Sequence, residues 1–311
     1  MTDNTSQTPA ALVSIAMATY NGYTHLPEQL NSIFAQTYTT WELIIVDDSS
    51  TDETRKLLES YEQEDPRIKV FFNEKNVGYR ESFYKALTHC RGKFVLFCDQ
   101  DDRWLPHKIT TLLNTIGSNL LVFSDSEFVD ASGASMQLKL SDTVRMLQPG
   151  DVGLNRGFVI GNCVWGHTIM FHTSLYKFIG QQNHDHPHDW WFAVVSSLLK
   201  KIVYCPQVLN QYRQHGANVT QAIPTGKGMV KGRKTSEYDL QLSRIEALAA
   251  LPFNTDSEFY LRWRNLFLQR KSGFSIALFL FLVKHRKGIF SFKRKSSLSQ
   301  LIEIRKMCRK V

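Results

Sequence analysis

The chain has 311 residues, 43% of them hydrophobic, which excludes global disorder and allows one large α/β domain with an appendage, or two domains. No run reaches the roughly 18–20 apolar residues of a spanning helix, and the first ten residues lack the apolar core of a secretory signal, so neither a membrane span nor a leader is expected. The net charge of +8 is lopsided, because residues 227–311 hold 19 Lys/Arg against 6 Asp/Glu and leave residues 1–226 at −5.

Val13 to Ala18 is an apolar run closed by Thr19-Tyr20-Asn21-Gly22, which predicts a buried strand ending in a turn. Leu26, Leu30, Ile33 and Phe34 then recur on one helical face between about Thr24 and Gln36. Leu43 to Val46 predicts a second strand ending in Asp47-Asp48, and Thr51 is placed to cap a helix that runs to about Glu64. Ile68 to Phe72 is a third strand, Asn76-Val77-Gly78 a turn, and about Arg80 to Cys90 a helix. Lys93 to Cys98 is a fourth strand, closed by Asp99-Gln100-Asp101-Asp102, and Pro106 opens the next helix at a position where proline is tolerated.

Four strand–helix units with wholly apolar strands predict an α/β fold, a mostly parallel sheet covered by helices on both faces. Functional groups in such sheets gather beyond the carboxyl ends of the strands. Thr19-Tyr20-Asn21, Asp47-Asp48 and Asp99 to Asp102 therefore belong on one rim.

Beyond residue 120 the pattern loosens. Leu120 to Phe123, Thr168 to His172 and Val208 to Arg213 read as strands, Ser124 to Gln137 as a strand-rich insertion, 140–157 as a long irregular stretch and Asp189 to Leu199 as a helix. Residues 221–235, rich in Gly and Lys, read as a linker, and 236–311 as a basic helical extension. The five scattered cysteines form no CxxC pair, so no zinc site or disulfide framework is expected and a reducing cytoplasm fits.

Three carboxylates in four positions repel one another unless a divalent cation or backbone N–H groups neutralise them. Mg²⁺ and Mn²⁺ prefer oxygen ligands and often share them with substrate phosphates. A solvated acidic turn is the plainer alternative, but the buried run Phe94 to Cys98 fixes Asp99 to Asp102 at the sheet rim. Asp47 and Asp48 are either a strand-end turn or acceptors for a base or ribose, and spacing does not decide between these. The run His184, His186, His188 defines no helical ligand face, so a metal is not expected there. His215 follows the last strand, where it can reach a diphosphate or a metal, and Arg213 can offset phosphate charge.

Taken in order, Val13-Ser-Ile-Ala-Met-Ala-Thr-Tyr-Asn-Gly22, Leu43-Ile-Ile-Val-Asp-Asp-Ser-Ser-Thr-Asp52, Asn76-Val-Gly78 and Cys98-Asp-Gln-Asp-Asp102 resemble the family 2 glycosyltransferases of the GT-A fold. His188-Asp-Trp-Trp191 and Tyr212-Arg-Gln-His-Gly216 extend the likeness over roughly residues 11–220, and Asp99 to Ile109 resembles the bacterial rhamnosyltransferase-like branch that builds surface polysaccharides. The resemblance implies an inverting, divalent-metal-dependent hexosyltransferase. It would move a sugar from a nucleoside-diphosphate donor, such as dTDP-rhamnose or a UDP-sugar, to a hydroxyl of a glycan or lipid-linked glycan precursor of O-antigen, capsule or lipopolysaccharide. It places Thr19, Tyr20, Asn21, Asp47, Asp48, Arg80, Asp99, Gln100, Asp102 and Arg213 at the donor, and Asp99, Asp101 and His215 on Mn²⁺ or Mg²⁺. Asp189 becomes the general base, while Trp190 and Trp191 pack against a sugar or in the core.

Two rivals stay open. A nucleotidyltransferase on the same fold type predicts a basic, glycine-rich loop after the first strand, and Ala18 to Gly22 has no Lys or Arg. A non-catalytic glycan-assembly protein predicts loss of the carboxylates, which are present. The mixture of Phe274 to Val283 with Lys284-His-Arg-Lys287 and Lys293-Arg-Lys295 suits a helix at an anionic membrane surface, or one packed on the body with a solvated basic end. The expected location is the inner face of the cytoplasmic membrane, held peripherally. Nucleic acid is not an expected partner, because the body is acidic and no nucleic-acid-binding motif is present.

Overall fold

The computed structural model describes residues 10–148, 156–179, 186–216, 237–270 and 273–309. Strands β1 (Val13–Thr19), β2 (Trp41–Asp47), β3 (Ile68–Phe72) and β4 (Phe94–Cys98) alternate with α1 (Leu26–Phe34), α2 (Thr54–Glu64) and α3 (Tyr79–His89). Next come β5 (Arg103–Trp104), α4 (Lys108–Ile116), β6 (Leu121–Val129), β7 (Ser135–Lys139) and the short α5 (Leu140–Thr143). Then β8 (Ile169–His172), α6 (Tyr176–Ile179), α7 (His188–Leu198) and β9 (Ile202–Arg213) complete the body. Four helices follow, α8 (Glu237–Ala250), α9 (Ser257–Leu268), α10 (Ile276–Ile289) and α11 (Ser297–Met307).

One nine-stranded sheet has the order β3-β2-β1-β4-β8-β6-β9-β5, with β7 pairing on β6. The strands β3, β2, β1 and β4 are mutually parallel. The antiparallel β8 links β4 to β6, which restores the first direction, and β9 is parallel to β6. Six strands therefore run one way, as expected for a sheet whose apolar strands are buried on both faces. Val13, Ile15 and Met17 of β1 join α1 and α4 in one apolar layer, while Ala16 joins α3 and α7 in the other. Covering helices on both faces leave the carboxyl ends of the strands as the open rim.

Local differences have local causes. Thr51 does not cap α2: its N–H and hydroxyl go to Asn21 Oδ1, and Asp52 Oδ1 accepts the Thr54 N–H instead, at 3.0 Å. Helix α4 begins two residues after Pro106, whose carbonyl accepts the Thr37 N–H at 2.9 Å. The strand expected at Leu120 to Phe123 runs on to Val129 because β9 pairs along its length. The stretch expected to be irregular holds α5 and a 3-10 turn at Arg156–Val159. Helix α7 starts at His188, with Pro187 at its cap, so Asp189 lies in the first turn rather than at the cap. The proposed linker at 221–235, and His184, lie outside the described residues.

The C-terminal helices are not a free tail. Ile245, Leu248, Trp263, Phe267, Leu278 and Ile304 belong to the same apolar cluster as Phe158, Trp190 and Phe192 of the body. Phe292 meets Phe158 edge-on at 4.7 Å. The Arg156 guanidinium pairs with Asp256, 2.8 Å from Nε to Oδ2, and covers the Phe259 ring at 3.8 Å. Packing on the body is thus the observed half of the two alternatives for this segment.

Candidate active site

A cleft of about 970 Å³ opens along the strand-end rim and reaches across to α7 and α8. The turn after β1 forms one wall. Asn21 takes a left-handed φ of 46°, which Asn tolerates, and its Oδ1 accepts the Thr51 N–H at 2.8 Å. Gln100 grips the same turn through the Tyr20 N–H and carbonyl, at 2.8 and 3.1 Å. Tyr20 itself is 46% exposed, an aromatic face free for stacking at the mouth of the cleft.

Asp48 is held by the Asn76-Val77-Gly78 turn. Its carboxylate accepts the Asn73 side-chain amide, the Val77 N–H and the Gly78 N–H, at 2.9, 2.9 and 2.7 Å. Gly78 has φ of 91°, a conformation open to glycine and strained for other residues, so the loop can close around the carboxylate. Asp47 turns the other way. It is buried and accepts from Thr19 Oγ1, the Ser50 N–H and the Ser50 hydroxyl, so it fixes the strand-end turn and does not line the cleft. Thr19 lines the cleft while its hydroxyl serves Asp47.

The cluster that closes β4 divides by direction. Asp99, Gln100 and Asp101 line the cleft; Asp102 points inward and is fully buried. Asp102 accepts Asn210 Nδ2 at 2.9 Å and the Arg213 N–H at 3.1 Å, so it ties the cluster to β9 instead of reaching a donor. Burial, then the neighbouring Asp101 and Asp99 charges, push its carboxyl well above the usual range. Burial, then Asp101 and Asp189, push Asp99 upward too. Lys108 is the buried amine beside them, lowered to about 7 by burial. Its Nζ donates to the His167 carbonyl at 2.6 Å and to Asn210 Oδ1 at 3.2 Å, and lies 4.0 Å from the Trp104 ring centre.

Arg213 is likewise a structural clamp. Only 2% of its side chain is exposed; its guanidinium donates to the Asp101 carbonyl at 2.9 Å, to the Ala131 carbonyl at 3.2 Å, and to Glu28. It does not line the cleft, so its charge holds the chain on either side of the cluster. Arg80 is outside the lining of the cleft, and its charge acts on His188.

His215 does reach the cleft, with Nε2 2.8 Å from Asp101 Oδ2. A carboxylate and an imidazole that meet at the cleft wall, with a second carboxylate, Asp99, raised chiefly by burial, are donors of the kind that suits Mn²⁺ or Mg²⁺. Asp99, Asp102 and His167 also bring ligand atoms within 4.8 Å of one another. Asp102 in that set is committed to Asn210 and Arg213; Asp99, Asp101 and His215 all face the cleft, but their ligand atoms are not gathered within that same distance.

Across the cleft, Asp189 Oδ1 accepts the Trp190 N–H at 2.7 Å and Oδ2 accepts Asn162 Nδ2 at 3.1 Å. Burial raises its carboxyl to about 6 against the pull of the Trp190 N–H and of Arg244. A carboxylate near that value ionises at neutral pH and still accepts a proton readily, which suits a general base. Trp190 and Trp191 are core residues, bonded through their indole N–H groups to the Phe158 and Ile179 carbonyls at 2.8 and 3.2 Å. His186 and His188 are buried among aromatic rings, and burial lowers His188 to about 3, so His188 is not a charged group.

Asn162, Trp165, His167, Lys108 and Arg244 are parts of the site that the sequence does not announce. Each is a single polar or aromatic residue without a repeating pattern, brought in by packing.

The chain matches the family model described as "Glycosyl transferase family 2" over residues 14–180. It is 38% identical over 113 residues to the putative teichuronic acid biosynthesis glycosyltransferase TuaG of Bacillus subtilis, covering 36% of this chain and 45% of that one. It is 27% identical over 212 residues to the Escherichia coli glucosyltransferase WfgD, described as UDP-Glc:alpha-D-GlcNAc-diphosphoundecaprenol beta-1,3-glucosyltransferase, covering 67% and 79% of the two chains. Among solved structures, S. aureus TarS residues 1–349 with UDP-GlcNAc superposes with a TM-score of 0.57 at 18% identity, covering 90% of this chain and 82% of that one. The mannosyltransferase PcManGT of Pyrobaculum calidifontis, with GDP-Man and Mn2+, gives 0.50 at 17% identity, covering 77% and 62%.

Proposed function

The chain belongs to glycosyl transferase family 2 and is a glycosyltransferase of the GT-A fold, and we propose that it is an inverting, divalent-metal-dependent enzyme of bacterial surface-glycan assembly. The observation that carries this reading is the single cleft with Asp99, Asp101 and His215 on one side and Asp189 on the other. A nucleoside-diphosphate sugar fits such a cleft, its base and ribose against Tyr20 and Asp48 and its diphosphate toward Asp99 and Asp101. Asp101 and His215, with Asp99, would hold the cation. When bound, it supplies Lewis-acid stabilisation of the departing diphosphate.

The residues of the chain do the rest. Asp189 takes the proton of the acceptor hydroxyl as that oxygen attacks the anomeric carbon from the face opposite the diphosphate. Asn162 and the Trp190 N–H fix the orientation of the carboxylate. The test is a donor panel: UDP-, dTDP- and GDP-sugars with Mn²⁺ or Mg²⁺, scored for donor hydrolysis and transfer. At least one should be turned over; no binding or turnover with any of them would remove the reading. The names of TuaG and WfgD support a surface-glycan acceptor, and UDP-sugars are the donors to try first.

The acceptor is proposed to be lipid-linked and met at an anionic membrane on the cytoplasmic side. Among the described residues no helix is long and apolar enough to cross a membrane. Ile276 and Leu280 on α10 are 68% and 62% exposed, and Leu298 and Ile302 on α11 are 69% and 51% exposed. Spaced four apart, each pair shares a helix face, and the exposed Lys284, Lys287 and Arg305 follow them. Such apolar–basic stripes favour an interfacial position. Replacing the four apolar residues by Glu should reduce binding to phosphatidylglycerol vesicles by about tenfold or more, since each buried apolar side chain contributes on the order of 1–2 kcal/mol. Unchanged sedimentation with vesicles would sink the membrane contact.

A further inference from the structure

The C-terminal helices do more than cover the body, because α8 sends Arg244 into the cleft beside Asp189. Its guanidinium carbon lies 5.2 Å from the Trp190 ring centre, and Nη1 donates to the Val159 carbonyl at 3.4 Å. Nε is buried and has no hydrogen-bond partner among the described residues. On the preceding residue, the Ser243 hydroxyl lies 3.3 Å from His186 Nε2, which docks the helix against the start of α7. Also on this wall, both ring nitrogens of His188 are buried without partners.

Arg244 is half-buried, and a guanidinium with one buried, unused donor costs free energy until an acceptor fills it. Arg244 lines the cleft together with Asp189, whose charge acts on it. In the reading above Asp189 is the group that meets the acceptor hydroxyl, so Arg244 belongs to the acceptor's wall of the cleft.

We infer that Arg244, with Asn162, Trp165 and Trp190, forms an acceptor subsite that binds a phosphoryl group next to the attacking hydroxyl. This inference rests on the transferase reading of the cleft. The guanidinium fork matches two phosphate oxygens at once. The C-terminal unit carries Arg244 inward on α8 and the apolar–basic stripes outward on α10 and α11, which favours a phosphate on an apolar chain over the carboxylate of a soluble acidic sugar. The C-terminal unit thus couples acceptor recognition to the surface that meets the lipid, and a glycosyl phosphate or diphosphate is the acceptor class that uses both.

Sugar-free probes test this without knowing the acceptor sugar. Undecyl diphosphate, undecyl phosphate, dodecanoate and a neutral undecyl ether are titrated below their micelle concentrations into the full chain, with EDTA present to suppress metal–diphosphate binding. Wild type should prefer undecyl diphosphate over the neutral ether by about tenfold or more, the scale of one charge-assisted contact. Arg244→Met should lose that preference while keeping its affinity for the ether, and Arg244→Lys should keep part of it. No preference in wild type, a full preference in Arg244→Met, or equal binding of dodecanoate overturns the subsite. UDP, dTDP and GDP with Mn²⁺ are titrated into the same proteins as a control. Nucleotide affinity should be unchanged in Arg244→Met; an equal loss would assign Arg244 to the donor and overturn the subsite. If wild type binds no nucleotide, the transferase reading fails by itself and the alkyl probes still decide on Arg244.

Discussion

Asp189→Asn should abolish sugar transfer and leave donor binding intact. Positioned general bases contribute roughly 10²–10⁴ in rate, so the turnover loss should be of that size, or about 3–5 kcal/mol in barrier height. The substitution keeps the shape and the acceptor for the Trp190 N–H, so the local structure should survive. The pH profile gives a second signature. Burial raises the Asp189 carboxyl to about 6; below that pH it is protonated and cannot accept the hydroxyl proton. Turnover should therefore rise with pH through about 6 and level off above it, measured at saturating metal. A wild-type profile flat across that range, or full turnover in the variant, would exclude Asp189 as the base.

The same shift predicts stability in the opposite sense. Native Asp189 holds its proton to a higher pH than an unfolded aspartate, whose value lies near 3.9. Between about 4 and 6 the folded state binds more protons, so its stability falls as pH rises through that window. Asn carries no charge and removes this slope. The variant should melt no lower than wild type at pH 8, which separates loss of the base from loss of the fold. The burial that would suit Asp189 to the proposed base works against stability.

Chelation with EDTA should lower transfer by on the order of 10³ or more, because Lewis-acid stabilisation of a leaving diphosphate contributes several kcal/mol. Readdition of Mn²⁺ or Mg²⁺ should restore it. Asp101→Asn and His215→Ala test the ligands directly, since both groups face the cleft and lie 2.8 Å apart. Both should raise the Mn²⁺ concentration needed for half-maximal activity, Asp101→Asn more strongly, because it removes a formal charge as well as a donor. Direct Mn²⁺ binding, read by its electron paramagnetic resonance signal, should weaken in parallel. Undiminished transfer in EDTA-treated protein, or unaltered Mn²⁺ binding in both variants, would rule out this set of ligands.

The sequence by itself determined the frame. Wholly apolar runs such as Val13 to Ala18 and Phe94 to Cys98 are strands buried on both faces, and only a helix-covered sheet accommodates them. That placed Thr19, Asp48 and the Asp99 cluster on a common rim, because parallel strands end together. It also carried the family likeness, since those strand ends recur in order and spacing.

Direction was decided by the tertiary structure. Asp47 and Asp48 are neighbours, yet one caps a turn and the other lines the cleft. Asp101 and Asp102 divide in the same way, since β9 supplies Asn210 and the Arg213 N–H to Asp102, and His215, just beyond β9, meets Asp101. Arg213 has the charge for a phosphate, but Glu28 and two carbonyls enclose it first. Residue type and spacing fix what a side chain can bond. Which partner it meets depends on segments far away in the chain, and most of all on the C-terminal helices, whose basic composition pointed outward to a surface while their packing brought Arg244 inward to Asp189.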